Sequence, residues 1–168
     1  DILGLFDRLT PRIAAVDARL AAARTLTARS GMEPGGAWSQ CLEALRASPH
    51  YSRLSLCPQM GLLPLRADPT TGLWDFLVVE SGAAPPWDDA TKRWAMRDDS
   101  GVILVLLPGG DFVMGGFESD TEQAPNDVPP HPMHVEPFFI SRYEMTQGQW
   151  ARLTEGEIPS YYKMGRAM

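Results

Sequence analysis

Two histidines beside an acidic segment are the first candidates for chemistry in this 168-residue chain. His131 and His134 follow a loop that carries four carboxylates, Glu118, Asp120, Glu122 and Asp127. Imidazole and carboxylate groups are common ligands of divalent metals. Residues three apart in an extended strand point to opposite faces, however, so the two imidazoles do not converge on one ion. The spacing therefore favours structural histidines over a metal site.

Other patterns that could carry chemistry are weaker. The acidic loop Glu118–Asp127 lacks the spacing of a calcium loop and is predicted to be solvated. The pairs Gly109–Gly110 and Gly115–Gly116 precede no helix and no Lys-Ser or Lys-Thr, which argues against phosphate binding. Cys41 and Cys57 lack CxxC spacing and are expected to be free or buried thiols. The chain alone therefore predicts no catalytic residue, no cofactor-binding residue and no metal ligand.

Short apolar runs would position these residues. Val102–Leu107 and Asp111–Met114 are β-prone and flank Pro108-Gly109-Gly110, which predicts a hairpin. A third run, His131–Ile140, ends in Pro-Phe-Phe-Ile. Thr146 and Gln149 have the spacing of a capping box, which predicts a helix that carries Trp150.

The same stretch carries a specific resemblance. Its segments LLPGGDFVMGG, PFFIS and RYEMTQGQW are similar to the opening half of the formylglycine-generating (sulfatase-modifying factor) family, most densely over Val102–Ser160. Tyr51–Leu77 resembles the region that precedes such domains in bacterial multidomain proteins. The residues that match the family motif, all expected to have structural roles, are Pro108, Gly109, Gly110, Phe112, Met114, Gly115, His131, Phe138, Tyr143, Glu144, Thr146, Trp150, Pro159 and Ser160. Ile158 stands where the family usually has Asn.

The resemblance implies an α+β fold that is C-type-lectin-like. It also implies that the family's copper-binding cysteines, and most of its calcium sites, belong to a later half of the domain that this chain does not contain. An incomplete domain should expose apolar surface, so we expect Val102–Leu107, Phe138, Phe139, Ile140 and Trp150 to lack partners. The expected partner is the remaining half of the same domain.

The N-terminal segment is predicted to be helical. Apolar residues recur at the a/d spacing of a coiled coil, at Ile2, Phe6, Leu9, Ile13, Val16, Leu20 and Ala23. Thr10-Pro11 predicts a break and a helical restart. The stripe fits either a dimer seam or packing within the chain.

A second helix is predicted over Ala37–Ala47, and together the two are expected to form a helical hairpin that links an upstream module to the family domain. The predicted domains are thus residues 1–47 and 48–168. Leu73–Val79 is predicted to be a strand that needs cover on both faces.

Composition limits the function further. The net charge of −6 argues against nucleic acid as a partner, because phosphate binding needs a basic surface. No signal peptide or membrane-spanning run is visible, so a cytoplasmic location is expected. The chain begins at Asp1 and is expected to be a fragment of a larger protein.

Three functions follow as hypotheses. The first is a non-catalytic recognition or regulatory module of a bacterial multidomain signalling protein. The second is the N-terminal half of a copper-dependent oxidase that converts a sulfatase cysteine to formylglycine. The third is the cleavage product of a protease target.

Overall fold

The computed structural model describes residues 2–116, 128–154 and 156 and shows an α+β fold. The helices are α1 (Ile2–Arg29), α2 (Ala37–Ala47) and α3 (Gln147–Leu153). The strands are β1 (Leu62–Ala67), β2 (Trp74–Val78), β3 (Trp87–Asp88), β4 (Arg93–Trp94), β5 (Ile103–Leu107), β6 (Gly110–Met114), β7 (His131–Val135) and β8 (Phe138–Ser141).

An antiparallel four-stranded sheet in the order β1-β2-β5-β8 is the centre of the fold. The predicted strand Leu73–Val79 is confirmed as β2, in an interior position between β1 and β5. Phe76 and Leu77 point to opposite faces and are both buried. A strand that is apolar on both faces therefore has both faces covered.

Helix α2 covers one face of the sheet. Trp38, Cys41 and Leu45 recur at three- and four-residue steps, so they lie on one side of the helix, and all three are buried with Phe76 and Leu106. The Trp38 and Phe76 rings pack with their centroids 5.4 Å apart. The Trp38 indole N–H donates to the Leu62 carbonyl at 2.9 Å, which satisfies a polar group inside the core.

The β3–β4 hairpin contributes to the cover of the opposite face. Trp94 packs there with Leu77 and Ile103, and its ring meets that of Trp87 edge-on at 5.1 Å. The Arg66 guanidinium lies 4.2 Å from the centroid of the Trp87 ring, within the range of a cation–π contact. Sequence patterns did not predict this hairpin, because its strands are only two residues long.

The predicted hairpin between Val102–Leu107 and Asp111–Met114 is wrong. β5 pairs with β2 and β8, whereas β6 pairs with β7 in a separate two-stranded ribbon. The two pairings nevertheless share one register: Leu107 lies opposite Phe138, and three residues further on Gly110 lies opposite Val135. β5–β6 and β7–β8 are therefore the two arms of one long antiparallel ribbon, interrupted at residues 108–109 and 136–137.

The prolines explain the interruption. Pro108 and Pro137 lie opposite each other in this register, and neither can donate an N–H to the ladder. Pro108-Gly109-Gly110 therefore kinks an arm instead of reversing the chain. For the same reason the run His131–Ile140 divides into β7 and β8.

The predicted break of the first helix at Thr10-Pro11 is also wrong, because α1 continues through Pro11. Residues 9–20 are exposed, so water surrounds this part of the helix at Pro11. Leu9, Ile13, Val16 and Leu20 are 39–61% exposed. The alternative that the stripe packs within the chain is therefore wrong for these four side chains. Helix α2 packs against the sheet instead of against α1.

The expectation of exposed apolar residues holds only in part. Val102, Ile103 and Leu106 are buried, because β5 is an interior strand of the sheet. Phe139 packs edge-on against Phe76 with centroids 5.1 Å apart. In contrast, Phe138, Ile140 and Trp150 are 39%, 48% and 41% exposed, respectively.

Candidate functional site

A cleft of about 820 Å³ lies between the segment after α2 and the kinked ribbon. Residues 50 and 52–56 line one side of it, and residues 108–111 and 134–137 line the other. The lining includes an arginine, two histidines and two carboxylates: Arg53, His50, His134, Asp111 and Glu136. A concave site with several converging polar groups is the usual form of a binding site.

Tyr51 fixes the first side of the cleft. Its hydroxyl donates to the Leu106 carbonyl at 2.8 Å and accepts the Trp74 backbone N–H at 3.0 Å. Burial raises the pKa of Tyr51, although the Trp74 N–H acts in the opposite direction. The hydroxyl thus stays protonated and can keep donating. One buried side chain therefore attaches the segment before β1 to two interior strands.

Gly109 fixes the other side. Its φ of +73° is a left-handed conformation, and a Cβ there would lie 2.4 Å from the Val135 carbonyl oxygen. Only glycine allows the two arms to come this close at the kink. The kink in turn determines where the side chains of Asp111 and Glu136 lie in the cleft.

His134 lies between two carboxylates. Its Nδ1 is 2.7 Å from Oδ1 of Asp111, its cross-strand partner, and its Nε2 is 3.5 Å from Oε1 of Glu136. The Asp111 hydrogen bond, supported by the charges of both carboxylates, raises the pKa of His134. The imidazole is therefore a cation in mildly acidic solution and neutral at higher pH.

The two histidines of β7 have separate partners. His131 Nδ1 is 2.9 Å from the Pro129 carbonyl, whereas His134 binds Asp111 and Glu136. Across residues 2–116, 128–154 and 156 there is no group of three His, Cys, Asp or Glu side chains that could hold a metal ion. The structural role of His131 remains a prediction.

Arg142 forms ion pairs with two carboxylates, those of Asp68 and Asp75. Its Nε lies 3.2 Å from both oxygens of Asp75, and its two terminal nitrogens bind Asp68. Burial raises the pKa of Asp75, and the Trp94 indole N–H and Arg142 offset part of this effect. Burial also opposes ionisation of Asp68, but the N–H groups of Thr70 and Thr71 together with Arg142 outweigh it and lower the pKa. These groups stabilise the fold and lie outside the cleft lining.

Helix α3 begins with the predicted capping box. Thr146 accepts the Gln149 N–H at 3.1 Å, and the Gln149 side chain accepts the Thr146 N–H at 2.9 Å. Gln149 also donates to the carbonyls of Ser100 and Gly101, and Arg152 donates to those of Ser81, Asp98 and Ser100. The start of α3 is thus attached to the segment that leads into β5.

Residues 93–163 match the family model of the Sulfatase-modifying factor enzyme 1-like domain. This segment is similar to that family. The match begins at β4 and includes the whole kinked ribbon and α3, which confirms the resemblance inferred over Val102–Ser160. No curated protein and no solved structure matches the chain significantly.

The sulfatase-modifying factor enzyme 1-like segment carries all of the predicted motif residues. Pro108, Gly109 and Gly110 line the cleft. The others are distributed along the ribbon and around α3: Phe112, Met114, Gly115, His131, Phe138, Tyr143, Glu144, Thr146 and Trp150. Pro159, Ser160, Ile158 and the acidic loop Glu118–Asp127 lie outside the described residues. Tyr51–Leu77 lies outside the family match, so its resemblance remains a prediction.

Sequence reasoning missed most of the cleft's polar groups. Arg53 and Glu136 lie in irregular segments that are far apart in the sequence, and both line the cleft. The sequence carries only a weak indication that Asp111 and His134 form a pair, namely that both lie in β-prone runs. Their register depends on a long-range pairing that no local pattern reports.

The cysteines do not fit the copper ion of the oxidase members of the family. Cys41 lies on the buried side of α2 and is fully buried in the core, and this burial raises its pKa to about 12. A metal-binding cysteine must be a thiolate, which a dry apolar core disfavours. Cys57 is exposed and directly follows Leu56, a lining residue of the cleft, although it does not itself line the cleft. Among the described residues, neither thiol belongs to a group of three His, Cys, Asp or Glu side chains that could hold a metal ion.

Proposed function

We propose that this chain is the N-terminal part of a non-catalytic recognition module in a bacterial multidomain signalling protein. Its fold would be C-type-lectin-like once the domain is complete. The observation that carries the proposal is that β8 is an outer strand of the sheet among the described residues and that Phe138 and Ile140 on it are exposed. An open edge with apolar side chains favours the addition of another polypeptide strand.

The proposed first partner of this edge is the later part of the same domain. Phe138 and Ile140 of β8 are partly exposed, and Trp150 and Leu153 of α3 are exposed to a similar degree. A further segment that covered these side chains would bury apolar area and supply backbone partners for β8. The cleft beside the kink would then remain available for an external ligand.

The polarity of the cleft indicates the kind of ligand. Arg53 and His50 provide cationic or donor groups, while Asp111 and Glu136 provide acceptors. Mixed charges beside apolar residues suit a polypeptide segment better than a polyanion, which requires a uniformly basic surface. We therefore propose a protein ligand.

The edge can be tested in trans. Residues 1–168 would be mixed with the later part of the domain, expressed as a separate polypeptide, and their affinity measured by calorimetry. Ile140→Lys should weaken binding by about tenfold or more, since it places a charge in an apolar contact. Met60→Lys is the matched control, because Met60 is 61% exposed and precedes β1 in the chain. Equal affinities for the two variants would exclude the β8 edge as the binding surface.

The second candidate is the copper-dependent oxidase, which the name of the matching family model favours. The whole protein would be incubated with a sulfatase-type cysteine peptide, copper and oxygen, and the product examined by mass spectrometry. The proposal expects an unchanged cysteine. Formation of formylglycine would exclude the non-catalytic function and place the copper ligands outside residues 1–168.

A further inference from the structure

We propose that α1 forms a parallel, in-register coiled coil with a second copy of this chain. Leu9, Ile13, Val16 and Leu20 follow steps of four, three and four residues along one side of α1 and are 39–61% exposed. This is the a/d spacing by which two helices pack knobs into holes. Ile13 and Leu20 occupy a positions, while Leu9 and Val16 occupy d positions.

Within the described residues, the body of the fold leaves Leu9, Ile13, Val16 and Leu20 exposed. In the last turns of α1, Ala22 and Leu26 are partly buried, and the Arg29 guanidinium donates to the Val79 carbonyl. At about 3.6 residues per turn, these three residues lie about two fifths of a turn around the helix from the stripe. A second helix can therefore lie along the stripe beside the body without displacing it.

The length of the stripe suits a helical partner. Ala23 continues it towards the body, and Ile2 and Phe6 continue the same spacing in the sequence at the other end. This makes about three heptads, close to the minimum for a stable two-stranded coil. β-branched residues at the a position and Leu at the d position favour two strands. Ile13 and Leu9 follow that preference, whereas Leu20 at a and Val16 at d reverse it.

Charge distinguishes the two possible orientations. In a parallel pair, Arg12 at a g position meets Asp17 at the following e position of the partner, an attractive contact made twice. Arg19 meets Arg24 in the same arrangement, which is repulsive. In an antiparallel pair that sets Ile13 opposite Val16, Arg12 meets Arg19 and Asp17 meets Thr10, so the repulsion has no compensating attraction. The charges therefore favour the parallel pair.

Sedimentation of the 168-residue chain over a range of concentrations tests the proposal. Ile13→Lys should raise the dimer dissociation constant by about 100-fold or more, because the seam would bury two like charges. Ala18→Lys is the matched control: it adds the same charge at an exposed position opposite the stripe and should leave the dimer unchanged. A monomer at every concentration, or a dimer that persists in Ile13→Lys, would overturn the proposal. Circular dichroism of both variants would show that α1 stays helical.

Cysteine crosslinking tests the orientation. In a Cys57→Ser background, Val16→Cys should form a disulfide with its own copy, because in-register d positions face each other. Ala18→Cys should not crosslink. Crosslinks that form only when Ile13→Cys and Val16→Cys chains are mixed would show an antiparallel pair and overturn the proposed orientation. These outcomes do not depend on the β8 edge or on the cleft.

Discussion

Asp111 lies directly opposite His134 across the β6–β7 ribbon, with its carboxylate 2.7 Å from the imidazole Nδ1. Both side chains are exposed and line the cleft beside the kink. The contact is therefore both a cross-strand pair within the fold and part of the surface offered to a ligand.

Removal of the Asp111 charge should lower the pKa of His134. The hydrogen bond to Asp111 is the main cause of the raised value, so Asp111→Asn should return the pKa towards the ordinary 6.5. Glu136→Gln should have a smaller effect, since its contact is longer at 3.5 Å. NMR titration of the His134 ring measures both. A larger change of the His134 pKa in Glu136→Gln than in Asp111→Asn would mean that Glu136, and not Asp111, is the main cause of the raised pKa.

The same pair predicts how stability depends on pH. A histidine whose pKa is raised on folding stabilises the folded state fully below its unfolded pKa. This contribution is lost as the pH rises through the folded-state pKa of His134. Asp111→Asn should therefore reduce stability to urea more at pH 5.5 than at pH 8.5. Equal losses at the two pH values would mean that protonation of His134 is not coupled to the pair.

Gly109→Ala should destabilise the kink more than its backbone conformation alone requires. A left-handed residue with a Cβ costs about 1–2 kcal/mol, and overpacking adds about 1–3 kcal/mol. Gly35→Ala isolates the first cost, because Gly35 has a φ of +76° and nothing within 4 Å of an added Cβ, whereas that of Gly109 would meet the Val135 oxygen at 2.4 Å. Urea unfolding of both variants gives the difference. Similar losses would show that the arms can separate at the kink without cost.

Arg142→Met should destabilise the fold by about 3–5 kcal/mol, because it leaves two carboxylates, one of them fully buried, without their cation. Lys92→Met makes the same change of charge in an exposed pair with Asp89, where about 0–1 kcal/mol is expected. Chemical unfolding compares the two. If Asp75→Asn failed to restore part of the stability of Arg142→Met, the loss would have to come from packing and not from the unpaired charge.

Thr146→Ala should cost about 1 kcal/mol through loss of the helix cap, whereas Thr146→Ser should retain most of it. Gln149→Ala should cost more than Thr146→Ala, because Gln149 also donates to the carbonyls of Ser100 and Gly101. Hydrogen exchange rates of the α3 backbone amides show whether the loss of stability lies in this helix. Unchanged exchange in Thr146→Ala would mean that the capping box contributes nothing to α3.

Local patterns predicted the local features well. The bounds of α2 and the capping box of α3 both follow from contacts within one helical turn. The Arg142–Asp75 pair joins residues 67 positions apart, and nothing local identifies it. The sequence Pro108-Gly109-Gly110 has the composition of a hairpin turn, but the long-range partner strands β7 and β8 decide that it bends one arm. At Pro11 the sequence predicted a helix break that does not occur, because a helix exposed to solvent can accommodate a proline.

The common register on both sides of the kink limits how the length of this segment can change. Leu107 and Gly110 face Phe138 and Val135 only because equal numbers of residues separate the strands in the two arms. A one-residue insertion at 108–109 alone would turn the side chains of β6 to the other side of the ribbon relative to β7. Insertions and deletions at the kink are therefore compatible with this pairing only when both arms change together. Homologous sequences should accordingly vary in length at this point in matched pairs.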